Sequence, residues 1–313
     1  MELKQKFQNI TILNQFYTRW KWRERKVSFG GMYPDKVFFV IRRAYCKVGL
    51  FSYVMTNMGM VDYALKKGYI PVIDMQNGRN TYLDDDKVGK ENSWEYFFKQ
   101  PCGYSLEDIK KAKNVILSGG LITEKNSYPD FSIMENKDLF AYWYQVFQRY
   151  FKVTDEIVEE FQEFRKELLG EGRILGILAR GTDYVSAKPK GHPIQPTAEQ
   201  IIEKTKEIME SYFCDKIFLA TEDASIYKKM KEAFGRSLIA PDTERYITSG
   251  GQNINDLEVK NDKYQKGKEY LLSIMTLASC DCLVAGNVGG THGAMLLSRG
   301  FDYSYIFDLG KYE

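Results

Sequence analysis

The 313-residue sequence is poor in the residues that build metal centres and disulfide frameworks. It has two histidines, His192 and His292, and no clustered cysteines, so no zinc-ligand spacing occurs and no metal is expected. The five cysteines, Cys46, Cys102, Cys214, Cys280 and Cys282, are scattered and odd in number, which reads as free thiols in a reducing compartment. No apolar stretch approaches the roughly 18 residues of a transmembrane helix. The opening MELKQKFQNI lacks the apolar core of a signal peptide. Charge of one sign is missing too. Lys and Arg number 44, Asp and Glu 42, and the resulting +2 supplies no global field for nucleic acid. Neither G-x-G-x-x-G nor G-x-x-x-x-G-K-[ST] occurs, which weighs against a dinucleotide dehydrogenase or an NTPase. These absences lead to the expectation of a cytoplasmic protein without cofactor, metal or nucleic-acid partner.

What is present is an ordinary folded composition, 44% hydrophobic and 27% charged. Aromatics reach 14%, which suits stacking surfaces in a cleft and equally a well-packed core. At roughly 150 residues per domain the length favours two α/β domains. Strand–helix alternation supports this in two blocks. The first predicts strands at Val37–Ile41, Tyr69–Asp74 and Asn114–Ser118, with a helix over Ser52–Lys67. A helical stretch from Asp138 to Leu169 follows and ends at Gly170 and Gly172. The second block predicts strands at Ile174–Ala179, Lys216–Ala220, Ser237–Ala240, Cys282–Ala285 and Ser304–Phe307. Its helices fall at Thr197–Tyr212, Ala224–Phe234, Lys268–Ser279 and Gly290–Ser298. The expected division is 1–150, a helical linker 151–172, and 173–313. The polar stretch Thr248–Lys266 reads as a long loop. Ligands of open α/β sheets sit beyond the carboxyl ends of strands, so the residues just after strands matter most.

Three clusters stand there. Arg180-Gly181-Thr182-Asp183 follows the strand Ile174–Ala179. The planar fork of Arg180 suits bidentate binding of a diphosphate, and a fixed cation there favours a transition state in which the diphosphate departs. A structural ion pair in a turn is the alternative reading. Thr221-Glu222-Asp223 follows the next strand. It can cap a helix or bring an acid to a nucleoside, or both. Gly286-Asn287-Val288-Gly289-Gly290-Thr291-His292-Gly293 joins a strand to a helix. Glycines there let amides approach an anion, but tight helix–sheet packing explains them as well. Asp84-Asp85-Asp86 reads as a solvated turn beside Lys87. The basic and aromatic run Arg19–Lys26 suits a membrane surface or an anionic acceptor, and also a solvated face with a few packed rings.

Taken in order, these segments resemble a known family. Leu178-Ala179-Arg180-Gly181-Thr182-Asp183-Tyr184-Val185 and His192-Pro193-Ile194 resemble the H-x-R-R-T-D-K-V … H-P-I region of the α1,6-fucosyltransferases, relatives of the protein O-fucosyltransferases. Ala220-Thr221-Glu222-Asp223 is similar to that family's A-T-D-D, and Leu277–Val284 to its L-S-x-A-D-x-L-V. Cys46-Lys47-Val48-Gly49-Leu50 resembles its C-G-x-G turn, and Asn92-Ser93-Trp94-Glu95 its G-W-E. The order agrees from about Val37 to Phe307.

The resemblance implies a GT-B fold, two Rossmann-like domains with parallel sheets facing across a cleft. It also implies an inverting, metal-independent transfer of fucose from GDP-fucose to a glycan such as a bacterial-type surface polysaccharide. On that reading Arg180 grips the β-phosphate. Gly49, Thr221, Glu222, Asp223 and the loop carrying Asn287, Gly289, Gly290 and Thr291 hold the donor. The position of the acid that reads guanine aligns with Ser273, and Glu269, one turn earlier on the same helix face, is taken as the donor-binding acid. The sequence departs from the family where Gly181 replaces the second Arg, Tyr184 the Lys, and Lys188 the proposed catalytic Glu. Asp183 and His192 are then the nearest candidates for the base. The departures leave two alternatives, another nucleotide-sugar donor and a non-catalytic binding protein.

Overall fold

Short apolar runs bounded by polar turns become strands, and the longer runs with helical spacing become the helices that cover them. The computed structural model describes residues 17–44, 47–120, 129–181, 188–243, 245–246 and 263–313. Its elements are β1 (Arg25–Val27), β2 (Phe38–Ile41), α1 (Leu50–Lys66), β3 (Ile70–Ile73), α2 (Leu106–Ile109), β4 (Val115–Leu117), α3 (Lys137–Tyr150) and α4 (Asp155–Leu169). The second half adds β5 (Ile174–Leu178), α5 (Ala198–Tyr212), β6 (Lys216–Ala220), α6 (Ala224–Phe234), β7 (Leu238–Ile239), α7 (Lys263–Ala278), β8 (Cys282–Gly286), α8 (Gly289–Leu297) and β9 (Tyr303–Phe307).

Two sheets result. The first has the order β1-β4-β2-β3 and the second β7-β6-β5-β8-β9. The second sheet is parallel throughout. In the first, β2 runs parallel to β3 and β4, but β1 is antiparallel to β4, with Arg25 opposite Leu117 and Val27 opposite Val115. The expectation of two parallel sheets therefore needs correcting for this edge. A three-residue strand with two cations carries no readable alternation, and its pairing is set by β4.

Period-two alternation explains the layers. In the second sheet Ile174, Leu178, Phe218 and Ala285 face a core they share with Phe39, Ile41 and Ile116 of the first sheet. Helices α1, α7 and α8 contribute to that same core. Leu175, Ile177, Leu219 and Val284 face the opposite way, onto α5 and α6. Phe38, Val40 and Val115 turn to a smaller outer core with Leu106 and Ile109 of α2. A helical layer is thus shared between the two sheets.

The stretch expected as one helical region from Asp138 to Leu169 is two helices. Phe151–Thr154 breaks it. Val153 bridges to Phe98, Lys152 O accepts from Lys99 N at 2.8 Å, and Thr154 N donates to Phe97 O at 3.1 Å. Buried Phe151 packs edge-on against Trp94 and stacks with Phe147, so packing overrides continuous helix. Among the described residues no helix is long and apolar enough to cross a membrane.

Candidate active site

The strand order of the second sheet reverses between β5 and β8, and such a switch point opens a crevice beyond the carboxyl ends of the strands. Arg180 stands two residues past β5. Its Nε lies 3.3 Å from Glu222 Oε1, two residues past the neighbouring β6. Both side chains are about four-fifths buried, at 23% and 21% exposure. Partial burial leaves this ion pair less screened than a surface pair would be.

Asp223 caps α6. Its Oδ1 accepts from Ser225 N at 2.8 Å and Ile226 N at 3.0 Å. Thr221 Oγ1 accepts from Asp223 N at 3.2 Å. Both residues therefore serve local structure at the strand end. The other carboxylate oxygen of Asp223 explains Gly181, since a Cβ there would lie 2.1 Å from Oδ2. The position where the resembled family has a second arginine is thus filled by a carboxylate from the turn after β6.

On the other side of Arg180 lies the start of α8. Val288 is its N-cap and supplies no side-chain cap, while Thr291 N and His292 N turn back to Val288 O. The amides of Gly289 and Gly290 form the open, positive end of the helix. A second helix start lies beside it. Gly49 is the N-cap of α1, likewise without a side-chain cap. A Cβ at Gly289 would sit 3.6 Å from Phe51 Cβ and 3.9 Å from Ser52 N. Two helix N-termini, each following an internal strand of its sheet, β2 or β8, therefore meet side by side.

Most glycines of the Gly286–Gly293 loop are explained by packing. A Cβ at Gly293 would lie 2.4 Å from the Phe51 ring, at Gly290 2.8 Å from the Tyr270 hydroxyl, and at Gly286 2.2 Å from Gln195 Oε1. Buried Thr291 donates from Oγ1 to Gly286 O at 2.5 Å. Asn287 Nδ2 donates to Phe131 O at 3.2 Å, and its Oδ1 faces His292 Nε2 at 2.9 Å. The side chains of Thr291 and Asn287 are thus bonded within the protein, leaving backbone amides as the loop's outward donors. The Asn287 contacts also assign His292 as the Nε2–H tautomer. Its Nδ1 finds no hydrogen-bond partner among the described residues. His292 is fully buried, and burial pushes its pKa down to about 3, with Asp130 acting weakly in the opposite direction.

His192 packs on the same phenylalanine. Its ring lies 5.5 Å from Phe131, and that of His292 lies 5.6 Å from Phe131. Partial burial lowers the His192 pKa and favours the neutral imidazole that a base requires. Asp183 lies outside the described residues, as does most of the expected loop Thr248–Lys266. Glu269 is half-buried on α7 and accepts from Gln265 Nε2 at 3.0 Å. Ser273 donates to the backbone of Glu269 at 2.9 Å. The acidic turn at Asp85–Lys87 is a 3-10 turn, with Asp85 paired to Arg79 and Lys263. Among the described residues no group of three or more His, Cys, Asp or Glu converges as a metal site would.

Three residues that sequence reasoning passed over stand at this junction. Tyr82 is buried, accepts from the Leu50 amide at the α1 start, and feels the charge of Arg180; burial raises its pKa. Tyr270 packs edge-on against Phe51, 6.1 Å between centroids, and reaches Gly290. Arg43 stands two residues past β2, the same offset that singled out Arg180. Nothing else in its sequence context marks it.

No protein-family model matches this sequence, and no curated protein matches it. Solved structures do match its fold. The fucosyltransferase NodZ from Bradyrhizobium superposes with a TM-score of 0.52 at 16% identity, covering 88% of this chain and 97% of that one. NodZ α-1,6-fucosyltransferase co-crystallised with GDP gives 0.50 at 16% identity, over 84% and 93%. POFUT1 in complex with GDP gives 0.51 at 10% identity, over 86% and 98%. Identities this low speak for architecture alone: the chain has the α/β fold of these fucosyltransferase structures.

Proposed function

We propose that the chain is a glycosyltransferase that moves fucose from GDP-fucose to a glycan acceptor by a single inverting displacement. On this reading the two sheets are the lobes of a GT-B arrangement, with residues 1–150 on the acceptor side and 173–313 on the donor side. The observation that carries it is Arg180, held by Glu222 at a topological switch point beside two helix starts whose N-cap residues supply no side-chain cap. The likeness to NodZ and POFUT1 structures that contain GDP supports the same reading.

The chemistry follows from charge. As the sugar leaves, negative charge grows on the departing diphosphate. Arg180 and the amides of Gly289 and Gly290 are fixed before the reaction and gain interaction energy as that charge develops. The helix starts of α1 and α8 add two partial positive charges. The reading needs no metal, because this cationic and amide set does the neutralising. The acceptor hydroxyl must lose its proton as it attacks. His192, kept neutral by burial, takes that role, with Asp183 as the alternative base.

Calorimetry of GDP-fucose binding tests the reading. A charge-assisted contact contributes about 1.5–3 kcal/mol, so Arg180→Ala should weaken binding roughly 10- to 100-fold. Equal affinity of wild type and variant would remove Arg180 from the donor site. A second donor stays in play because Asp223 fills the space of the missing second arginine. Thermal shifts with GDP-, UDP-, dTDP- and CMP-sugars decide this, and stabilisation by UDP-sugars alone ends the GDP assignment.

A further inference from the structure

Seven large hydrophobic side chains are strongly exposed among the described residues, and four of them flank the edge strand β1: Tyr17, Trp20, Phe29 and Met32, at 58%, 60%, 52% and 49%. Their backbone is anchored. A helical turn over residues 17–21 leads to Trp22, whose carbonyl accepts from Gly120 N at 2.9 Å and whose ring covers Gly120. Trp22 thus packs inward while Trp20 stays out, stacked with Tyr17 at 6.4 Å and with the Arg23 guanidinium 4.7 Å over its ring. At the other end of β1, Phe29 N and Gly30 N donate to Ala112 O, and Met32 exchanges backbone hydrogen bonds with Lys111 and Lys113. This pins Phe29 and Met32 beside two exposed lysines.

The charge is local. Residues 17–36 hold six basic and two acidic residues, a surplus of four in a chain whose overall surplus is two. Cations on an edge strand blunt unwanted strand addition, which accounts for Arg25 and Lys26. Blunting does not account for exposed rings, which work against it. Protein interfaces deplete charge at their apolar centre. Here each exposed ring is interleaved with a cation, the arrangement that suits a plane of anionic headgroups with apolar chains beneath.

We infer that this edge of the first sheet is a docking surface for an anionic lipid bilayer. The rings insert at the headgroup boundary, and the arginines and lysines lie against the phosphates. The surface is independent of the donor site and stands whether or not the proposed transfer does.

Co-sedimentation of the full chain with vesicles tests it. Vesicles of phosphatidylcholine mixed with phosphatidylglycerol should pull the protein down, phosphatidylcholine alone should not, and added salt should release it. Each cation replaced by glutamine, as in Arg23→Gln or Lys113→Gln, should lower the partition constant roughly fivefold. Trp20→Ala and Phe29→Ala should lower it while circular dichroism and Tm stay unchanged. Equal sedimentation of wild type and these folded variants overturns the inference. So does retention on a soluble polyanion such as polyglutamate without vesicle binding, which would assign the edge to an acidic macromolecule.

Discussion

Arg43 and Arg180 occupy matching places in the two sheets. Each stands two residues past an internal strand, β2 or β5, and beside the start of a helix. Their partners differ. Arg43 Nη1 donates to Ser52 O at 3.1 Å and Thr56 Oγ1 at 3.0 Å, both on α1, and the guanidinium lies 5.0 Å over Tyr53. Arg180 pairs with a carboxylate from the adjacent strand end. The contacts of Arg43 tie its guanidinium to the first turns of its own helix. On the proposed reading Glu222 keeps the Arg180 guanidinium in place while the diphosphate binds. Equal positions in a strand–helix unit thus carry different partners, and the proposed donor role falls to the arginine paired with a carboxylate.

Acid should separate the two helix starts most strongly. The first turn of α1, Leu50-Phe51-Ser52, has no titratable side chain, whereas that of α8 holds buried His292. With a folded pKa of about 3 against an ordinary 6.5, the unfolded chain takes the proton first. The stabilising effect of the neutral ring is complete above pH 6.5 and falls as pH drops towards 3, by roughly 1.4 kcal/mol per pH unit. Urea unfolding at pH 7, 5 and 4 should show this slope in wild type and its loss in His292→Gln. Parallel pH profiles for the two proteins would mean that the imidazole is solvated.

The two arginines themselves give the next effect. Arg43→Ala should lower stability by about 1–2 kcal/mol, because it strips hydrogen bonds from the α1 start. It should leave donor affinity within a few-fold. Arg180→Ala should do the reverse, with a large loss of donor affinity and a smaller change in Tm than Arg43→Ala. If Arg43→Ala abolished donor binding in a protein of unchanged Tm, the contrast between the sheets would fail.

The same contrast marks how far the sequence could be read. The strands β5, β6 and β8 are short, mostly apolar runs between turns, so their ends were legible to within a residue, and with them the places of Arg180 and Glu222 just beyond. The β1 strand was not, because Arg25-Lys26-Val27 draws its pairing from β4 and its anchoring from Trp22 against Gly120. The break at Phe151–Thr154 was hidden for a similar reason: its partners Phe97, Phe98 and Lys99 lie some fifty residues earlier. In the loop after β8, sequence left anion binding and packing both open. Packing against Phe51, Tyr270 and Gln195 accounts for Gly293, Gly290 and Gly286, while Gly289 keeps only ordinary contacts. Tyr82 and Phe131 were invisible because their contacts join segments far apart in the chain.

The smallest stability effect is also the most discriminating for function. Gly49 has φ −68° and ψ 158°, the extended geometry of an N-cap, and a Cβ there meets nothing within 4 Å. Glycine is therefore not required by the backbone. Aspartate at this position would accept from the first-turn amides of α1 and stabilise the helix by up to about 1 kcal/mol. If those amides serve only the fold, Gly49→Asp is a plain improvement. If the paired helix starts receive a diphosphate, the new carboxylate occupies the amides and repels the ligand. We expect Gly49→Asp to raise Tm and to weaken GDP-fucose binding in the same protein. A higher Tm with unchanged affinity would take α1 out of the donor site and leave α8 and Arg180 to hold the anion alone.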